Sequence, residues 1–154
     1  MQILGDKGLG KFLKVLLIVG FIISIPVIIT SPFLLNHTRS RVYSMFIIYP
    51  NGVLMLGIIY QFIKLFKSLE NNNPFTFENV KILKMTGVIS FIISILWLID
   101  LLFMILIIKN TYINYIIVLL FLIILFFGVA VALYILSELI RQATVYKQEN
   151  DLTI

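Results

Sequence analysis

The chain has no cysteine, a single histidine and few charged residues. Without cysteine it can form no disulfide bond, no thiolate metal site and no thiol nucleophile, and one histidine, His37, excludes a histidine-rich metal cluster. Charged residues make up 12% of its 154 residues, whereas about a quarter is usual in soluble domains. Hydrophobic residues make up 61%. This composition predicts an integral membrane protein.

The hydrophobic residues fall in four runs, each long enough to cross a hydrocarbon core of about 30 Å as a helix. The predicted spans are residues 12–34, 43–65, 81–107 and 113–137. They must be helical, because an open strand in lipid would leave its backbone groups without hydrogen bonds. The predicted fold is all-α: a single membrane domain in which four transmembrane helices form a bundle of two hairpins.

The basic residues predict the orientation of the spans, because short segments rich in Lys and Arg stay in the cytoplasm. With both termini in the cytoplasm, nine of the 12 basic residues lie there: Lys7, Lys11, Lys14, Lys64, Lys67, Lys81, Lys84, Arg141 and Lys147. The net charge of +5 is thus explained by topology and does not indicate direct nucleic-acid binding. The first apolar run is too long for a signal peptide and lacks a cleavage site, which predicts a retained span of a multi-pass protein of the cell membrane.

An interior polar stretch, NPFTFENV, predicts the cytoplasmic turn that joins the two hairpins, within residues 67–80. Pro74 cannot continue the preceding helix. Thr76 can cap the N-terminus of the next helix, and Glu78 falls in its first turn, near the positive end of the helix dipole. One helix therefore ends and another begins here.

Small residues predict where the helices touch, because they let backbones approach closely in lipid. The expected contact positions, grouped by span, are Gly20 and Ser24, then Gly87, Ser90 and Ser94, then Gly128 and Ala132. These positions are expected to pack within one chain, with a homodimer interface as the alternative.

One acidic residue, Asp100, lies inside a predicted span, where an ionisable group is costly and often functional. Asn51 follows Pro50, which is expected to break the second span at a similar depth. Asp100 and Asn51 together predict an intramembrane polar site for a proton, a cation or an amine. The structural alternative is that Asp100 is hydrogen-bonded to Asn51 or to Arg39 and Arg41.

Residues 138–154, after the fourth span, are predicted to continue as an amphipathic cytoplasmic helix. From the end of the span into this segment, apolar side chains recur at helical spacing between polar ones: Leu136, Leu139, Ile140, Ala143 and Tyr146. This apolar side could lie on lipid headgroups, pack under the bundle against Phe75 and Phe77, or bind a soluble partner.

Motifs of bond-making enzymes are missing from the sequence. It contains no nucleophile elbow, no phosphate-binding loop, no zinc-protease motif and no pair of intramembrane carboxylates. We therefore expect no enzymatic activity, no cofactor and no bound metal.

Two segments, NPFTFENVKILKMTG in the centre and YILSELIRQATVYKQENDLTI at the C-terminus, resemble the YoaS-like family of small bacterial four-helix membrane proteins of unknown function. The resemblance covers nearly the whole chain. Members of that family are often neighbours of a small helix-turn-helix regulator, which implies a membrane protein that restrains a cytosolic transcription factor. The residues expected to contact it are Asn73, Pro74, Phe75, Thr76, Phe77, Glu78, Asn79, Asp151, Leu152, Thr153 and Ile154.

We therefore expect a non-enzymatic membrane sensor or regulator that binds a small cytosolic helix-turn-helix transcription factor. Two alternatives are an immunity or resistance protein that binds a membrane-active peptide and a small transporter or channel subunit. The first hypothesis makes the turn and the C-terminal tail important, whereas both alternatives make Asp100 and Asn51 important. The expected partners are the lipid bilayer, the regulator and, in the dimer alternative, a second copy of the chain.

Overall fold

The fold consists of four long helices in the part of the chain that the structure describes. The computed structural model describes residues 7–30, 38–70, 74–108 and 113–151, and side chains within residues 11–30, 45–69, 74–106 and 113–150. The helices are α1 (Lys7–Thr30), α2 (Thr38–Glu70), α3 (Phe77–Phe103) and α4 (Ile113–Asp151). A π-helical segment, Met104–Ile108, directly follows α3.

Each helix contains a stretch that is long and apolar enough to cross a membrane. These stretches are Lys11–Thr30, Met45–Leu69, Phe77–Leu106 and Ile113–Asn150. No strand occurs among the described residues. The prediction of an all-α fold with four helices able to span a membrane is therefore confirmed, while the orientation of the termini stays a prediction.

Both helices that contain an internal proline continue through it. The expectation that Pro50 breaks the second span is wrong, because α2 is one helix from Thr38 to Glu70. A proline removes one backbone donor, but its φ angle is compatible with a helix. The side chain of Asn51 supplies a further donor in this turn, since its Nδ2 lies 2.9 Å from the carbonyl oxygen of Ile47.

The helices pack in the order of the chain. α1 packs on α2, α2 on α3 and α3 on α4, and the α3–α4 pair has the most extensive contact. Within the described ranges, the backbone of α1 does not approach α3 or α4, and that of α2 does not approach α4. The backbone of α4 therefore packs closely on α3 alone.

The core lies between α3 and α4. Among the described side chains, the buried hydrophobic ones all belong to these two helices: Ile82, Leu83, Ile93, Leu101, Leu119, Phe126, Ala130 and Leu133. Gly87 allows the close approach, because a Cβ atom there would lie 3.2 Å from the carbonyl oxygen of Ala130. The predicted contact positions Gly87, Ser90 and Ser94 are confirmed, since all three are buried.

Small residues on α1 and α4 do not follow the prediction. A Cβ atom added at Gly20 or Gly128 would have no described atom of a neighbouring helix within 4 Å, and Ala132 is exposed. α4 instead turns Ala130 and Leu133 toward α3. The expectation that Gly20 and Gly128 pack against a neighbouring helix of the same chain is therefore wrong.

Candidate functional site

The turn between α2 and α3 is closed by a helix cap. The Oγ1 atom of Thr76 accepts a hydrogen bond from the backbone N–H of Asn79 at 3.2 Å, and Thr76 itself is extended, with φ −135° and ψ 148°. Glu78 lies in the first turn of α3. The predicted N-cap is therefore confirmed. Within the predicted turn, the described residues outside a helix are 74–76.

Asn79 holds this turn together from the inside. Its side chain is only 1% exposed. Its Nδ2 donates to the Oγ of Ser68 at 2.9 Å and to the carbonyl oxygen of Pro74 at 2.8 Å. These bonds join the end of α2, the turn and the start of α3. Because it is buried, Asn79 positions the turn and does not present its side chain to a partner.

Phe75 and Phe77 lie at the surface of the turn, where they are 44% and 49% exposed. Glu78 is also exposed, and Pro74 and Thr76 are half-buried. Asp151 is the last residue of α4. The other residues predicted to contact a partner lie outside the described ranges: Asn73, Leu152, Thr153 and Ile154.

Two lysine–tyrosine contacts indicate where the helices leave the lipid near this turn. The Nζ of Lys84 lies 5.7 Å from the ring centroid of Tyr134, and the Nζ of Lys64 lies 4.8 Å from that of Tyr60. Tyrosine and lysine are typical of the interface between a membrane and water. The part of α4 that follows Tyr134, called the extension of α4 below, is about 25 Å long.

α4 is much longer than a membrane requires. Its 39 residues correspond to a length of about 58 Å, compared with roughly 30 Å for a hydrocarbon core. Because Lys84 contacts Tyr134, Phe77, two turns earlier on α3, lies level with about Arg141 on the antiparallel α4. The residues of α4 after Arg141 therefore extend past the start of α3.

The extension of α4 exposes apolar side chains on the side turned away from the bundle. Leu139 is 56% exposed and Tyr146 is 65% exposed. Ser137 and Thr144, by contrast, are buried, and their hydroxyls donate to backbone carbonyl oxygens of α4 itself. The predicted apolar side of this helix therefore includes exposed residues that its contact with α3 does not cover.

A further side of the extension is charged. The guanidinium of Arg141 donates to the carboxylate of Glu138, with a shortest distance of 2.6 Å, and both side chains are about half exposed. Exposed ion pairs within one helix add little stability. The extension therefore carries an apolar side and a separate charged side.

Asp100 lies in the interface of α3 and α4. It is 1% exposed, and its Oδ2 accepts a hydrogen bond from the hydroxyl of Tyr115 at 3.3 Å. Its Oδ1 has no hydrogen-bond partner among the described residues. In the same part of the chain, no three His, Cys, Asp or Glu side chains are grouped as metal ligands would be. Asp100 is thus buried in an apolar helix interface, and Tyr115, which is 37% exposed, donates to it from the edge of that interface.

Asn51 is buried as well, at 4% exposure, and its Oδ1 has no partner among the described residues. No described hydrogen bond joins it to Asp100. Gly57 faces Ile89, so Asn51 lies about one and a half turns short of Asp100 along the antiparallel pair of α2 and α3. The two predicted members of the polar site are therefore separate.

Tyr115 was not among the residues expected at this site. A signal for it does exist in the sequence, because Tyr115 lies in the first turn of the fourth predicted span and Asp100 lies in the last two turns of the third. Antiparallel pairing brings such residues to the same depth.

Composition, helix length and packing define the class of this molecule: it is a multi-pass membrane protein built from four apolar helices. The chain belongs to the family described as Protein of unknown function (DUF2975), whose model matches residues 16–154. No curated protein and no solved structure matches it. The family match does not test the narrower YoaS-like resemblance, which stays a prediction.

Removing the cap of α3 should destabilise the turn measurably. We expect Thr76→Ala to lower the free energy of unfolding by about 1 kcal/mol, because the backbone N–H of Asn79 loses its acceptor. Thr76→Ser retains an acceptor and should recover most of this loss. Denaturant unfolding in a mild detergent, followed by circular dichroism, measures both values. A cap that contributes nothing would leave the three proteins equally stable.

Proposed function

We propose that this protein is a non-enzymatic regulator of the cell membrane that binds a soluble protein at the end formed by the turn and the extension of α4. With both termini in the cytoplasm, as the basic residues predict, this end faces the cytoplasm. In line with the resemblance to YoaS-like proteins, the partner is a small helix-turn-helix transcription factor held away from its DNA.

The proposal rests on the continuation of α4 as one helix to Asp151, with Leu139 and Tyr146 exposed in the part that follows Tyr134. In this proposal that part lies outside the lipid, and apolar side chains that neither lipid nor the bundle covers are characteristic of protein-binding surfaces. A projecting helix also suits the groove of a helical partner. Phe75 and Phe77 add exposed aromatic rings at the same end, and aromatic residues are enriched in interfaces.

The immunity and transporter hypotheses depend on Asp100 and Asn51 instead. Both side chains are buried, and they lie at different depths in the described structure. A peptide or solute would need an open path to reach either of them. The turn end offers accessible apolar groups without such a path, which supports the regulator.

Partner binding should require the apolar side of the α4 extension. We expect Leu139→Lys and Tyr146→Lys, separately and together, to reduce co-purification of a co-expressed helix-turn-helix regulator of the phage-repressor type by about tenfold or more, a loss of at least about 1.4 kcal/mol. Each variant places a charge where the partner would bury an apolar side chain. Quantitative immunoblotting after purification in a mild detergent gives the measurement.

Gln148→Lys is the matched control for this experiment. Gln148 is exposed and follows Tyr146 by two residues, which places it on the opposite side of the same helix. It should leave the recovery unchanged. The proposal would be contradicted if the double variant recovered as much of the regulator as the wild type does. Failure of the wild type to recover any of the regulator would contradict it too.

A further inference from the structure

Among the described side chains, Asp100 is the one carboxyl group that is buried. A single hydrogen bond, from the hydroxyl of Tyr115 to Oδ2, satisfies one of its oxygens, and Oδ1 has no partner in the same set of residues. An ionised carboxylate in an apolar helix interface is strongly disfavoured unless a cation or several donors surround it. Among the side chains that the structure describes, none supplies a cation or a further donor to Asp100.

Three other buried polar side chains of α3 donate hydrogen bonds to backbone carbonyl oxygens. The hydroxyl of Thr86 donates to the carbonyl oxygen of Ile82 at 2.8 Å, and that of Ser90 to the carbonyl oxygen of Thr86 at 2.9 Å. Ser94 donates across the interface to the carbonyl oxygen of Ile123 at 3.1 Å. Asp100 differs from these three residues because its Oδ1 has no hydrogen-bond partner among the described residues.

We propose that Asp100 and Tyr115 form a proton-binding site that controls how closely α3 and α4 pack. With the proton on Oδ1, the carboxyl group is neutral and the helices stay in close contact. When the O–H bond of the carboxyl group breaks, the proton passes to water, and the carboxylate draws water between the helices. The proposal is independent of the regulator described above, because it concerns the opposite end of the helix pair.

Both α2 and α4 pack against α3, so the groups on each that lie near Asp100 affect its protonation. From α4 the titratable group that faces Asp100 is Tyr115. From α2 the buried polar group nearest in depth is the uncharged Asn51. The side chains of Arg39 and Arg41, at the same end of α2, lie outside the described part.

The backbone next to Asp100 departs from a regular α-helix. The N–H of Met104 is shared between the carbonyl oxygens of Asp100 and Leu101, and the π-helical segment begins at that residue. Such segments are less stable than α-helix and occur often at functional sites. The end of α3 that carries Asp100 is therefore suited to a change in its packing on α4.

Tryptophan fluorescence can report a change in the packing of α3 on α4. Trp97, the single tryptophan, is half-buried and precedes Asp100 by one turn of α3. In a mild detergent we expect its emission to shift to longer wavelength in one transition as the pH is raised from about 4 to about 9, a range that ends before tyrosines ionise. The shift reports water that reaches the loosened interface.

Three variants test the assignment. Asp100→Asn keeps the shape of the neutral carboxyl group and should abolish the transition. Tyr115→Phe should displace the midpoint of the fluorescence transition by about one pH unit, the size expected for a hydrogen bond to a charged group. Ser94→Ala removes a hydroxyl that bonds across the same interface but does not titrate, so its midpoint should equal that of the wild type.

Several outcomes overturn the proposal: no transition in the wild type, a transition that persists in Asp100→Asn, or a signal that follows Na⁺ or K⁺ concentration at constant pH. Circular dichroism and size exclusion check that the variants fold. If Asp100→Asn does not fold, infrared difference spectra of the wild type decide the question. Loss of a carboxylic-acid C=O band over the same pH interval as the Trp97 shift supports the proposal, and its absence overturns it.

Discussion

Gly87→Leu is expected to force α3 and α4 apart and to lower the free energy of unfolding by about 3 kcal/mol, the upper part of the usual range for overpacking. A Cβ atom at this position would lie 3.2 Å from the carbonyl oxygen of Ala130 and 3.6 Å from the Cβ of Leu133. The obstacle includes backbone, which cannot rotate away as a flexible side chain can. Unfolding of the purified protein by SDS in mixed micelles, followed by circular dichroism, measures the loss.

Gly87→Ala and Gly128→Leu are the controls for this substitution. Alanine requires a shift of only a few tenths of an ångström, so its effect should be small. Gly128 has no atom within 4 Å of an added Cβ, so leucine there should change the stability by less than about 0.5 kcal/mol. If Gly87→Leu were as stable as Gly128→Leu, the close contact of α3 with α4 would be refuted.

Asn79→Leu should have the second largest effect, a loss of about 2–3 kcal/mol. The variant removes the donors to the Oγ of Ser68 and to the carbonyl oxygen of Pro74, which hold α2, the turn and α3 together. Leucine has a similar volume, so the loss reports the missing hydrogen bonds more than a cavity. The same SDS titration provides the measurement.

Limited proteolysis locates the effect of this variant. We expect faster cleavage between Glu70 and Phe77 in Asn79→Leu, because the turn loses its internal hydrogen bonds. Glu78→Gln, at the exposed preceding residue, keeps the shape of the side chain and should cost only a few tenths of a kcal/mol from the helix dipole. Unchanged proteolysis and stability in Asn79→Leu would exclude a structural role for Asn79.

The four helices and the cap of α3 are predictable because their causes are local. Apolar run length determines whether a segment can cross lipid, and it can be counted directly from the sequence. The cap depends on Thr76 and a backbone N–H three residues later, so it too needs no information from distant parts of the chain. Both predictions are confirmed.

The contact faces of the helices are much less predictable. Gly87 and Gly128 are equivalent as small residues in a membrane span, yet Gly87 lies against Ala130 and Gly128 lies in open space. The difference depends on how α4 is rotated about its axis. Within its predicted span, residues 113–137, α4 is apolar on nearly every side, so this part of the sequence contains no polar side that would indicate the rotation.

The polar site around Asp100 was likewise predictable only in part. Asp100 stands out as an acid in an apolar run, so it could be found by inspection. Its pairing with Tyr115 and its separation from Asn51 depend on the relative depth of three helices. Such depths follow from packing between helices and not from the order of residues along any one of them.

Hydropathy, charge and capping residues are thus sufficient to define a membrane protein of four helices with a capped turn around Pro74. Within the described residues, the packing of the helices decided that the backbone of α4 approaches α3 alone, that Asn79 is internal, and that Leu139 and Tyr146 stay exposed. The physical reason is that lipid solvates every apolar face equally well. Close fit and hydrogen bonding between particular side chains then select which faces meet.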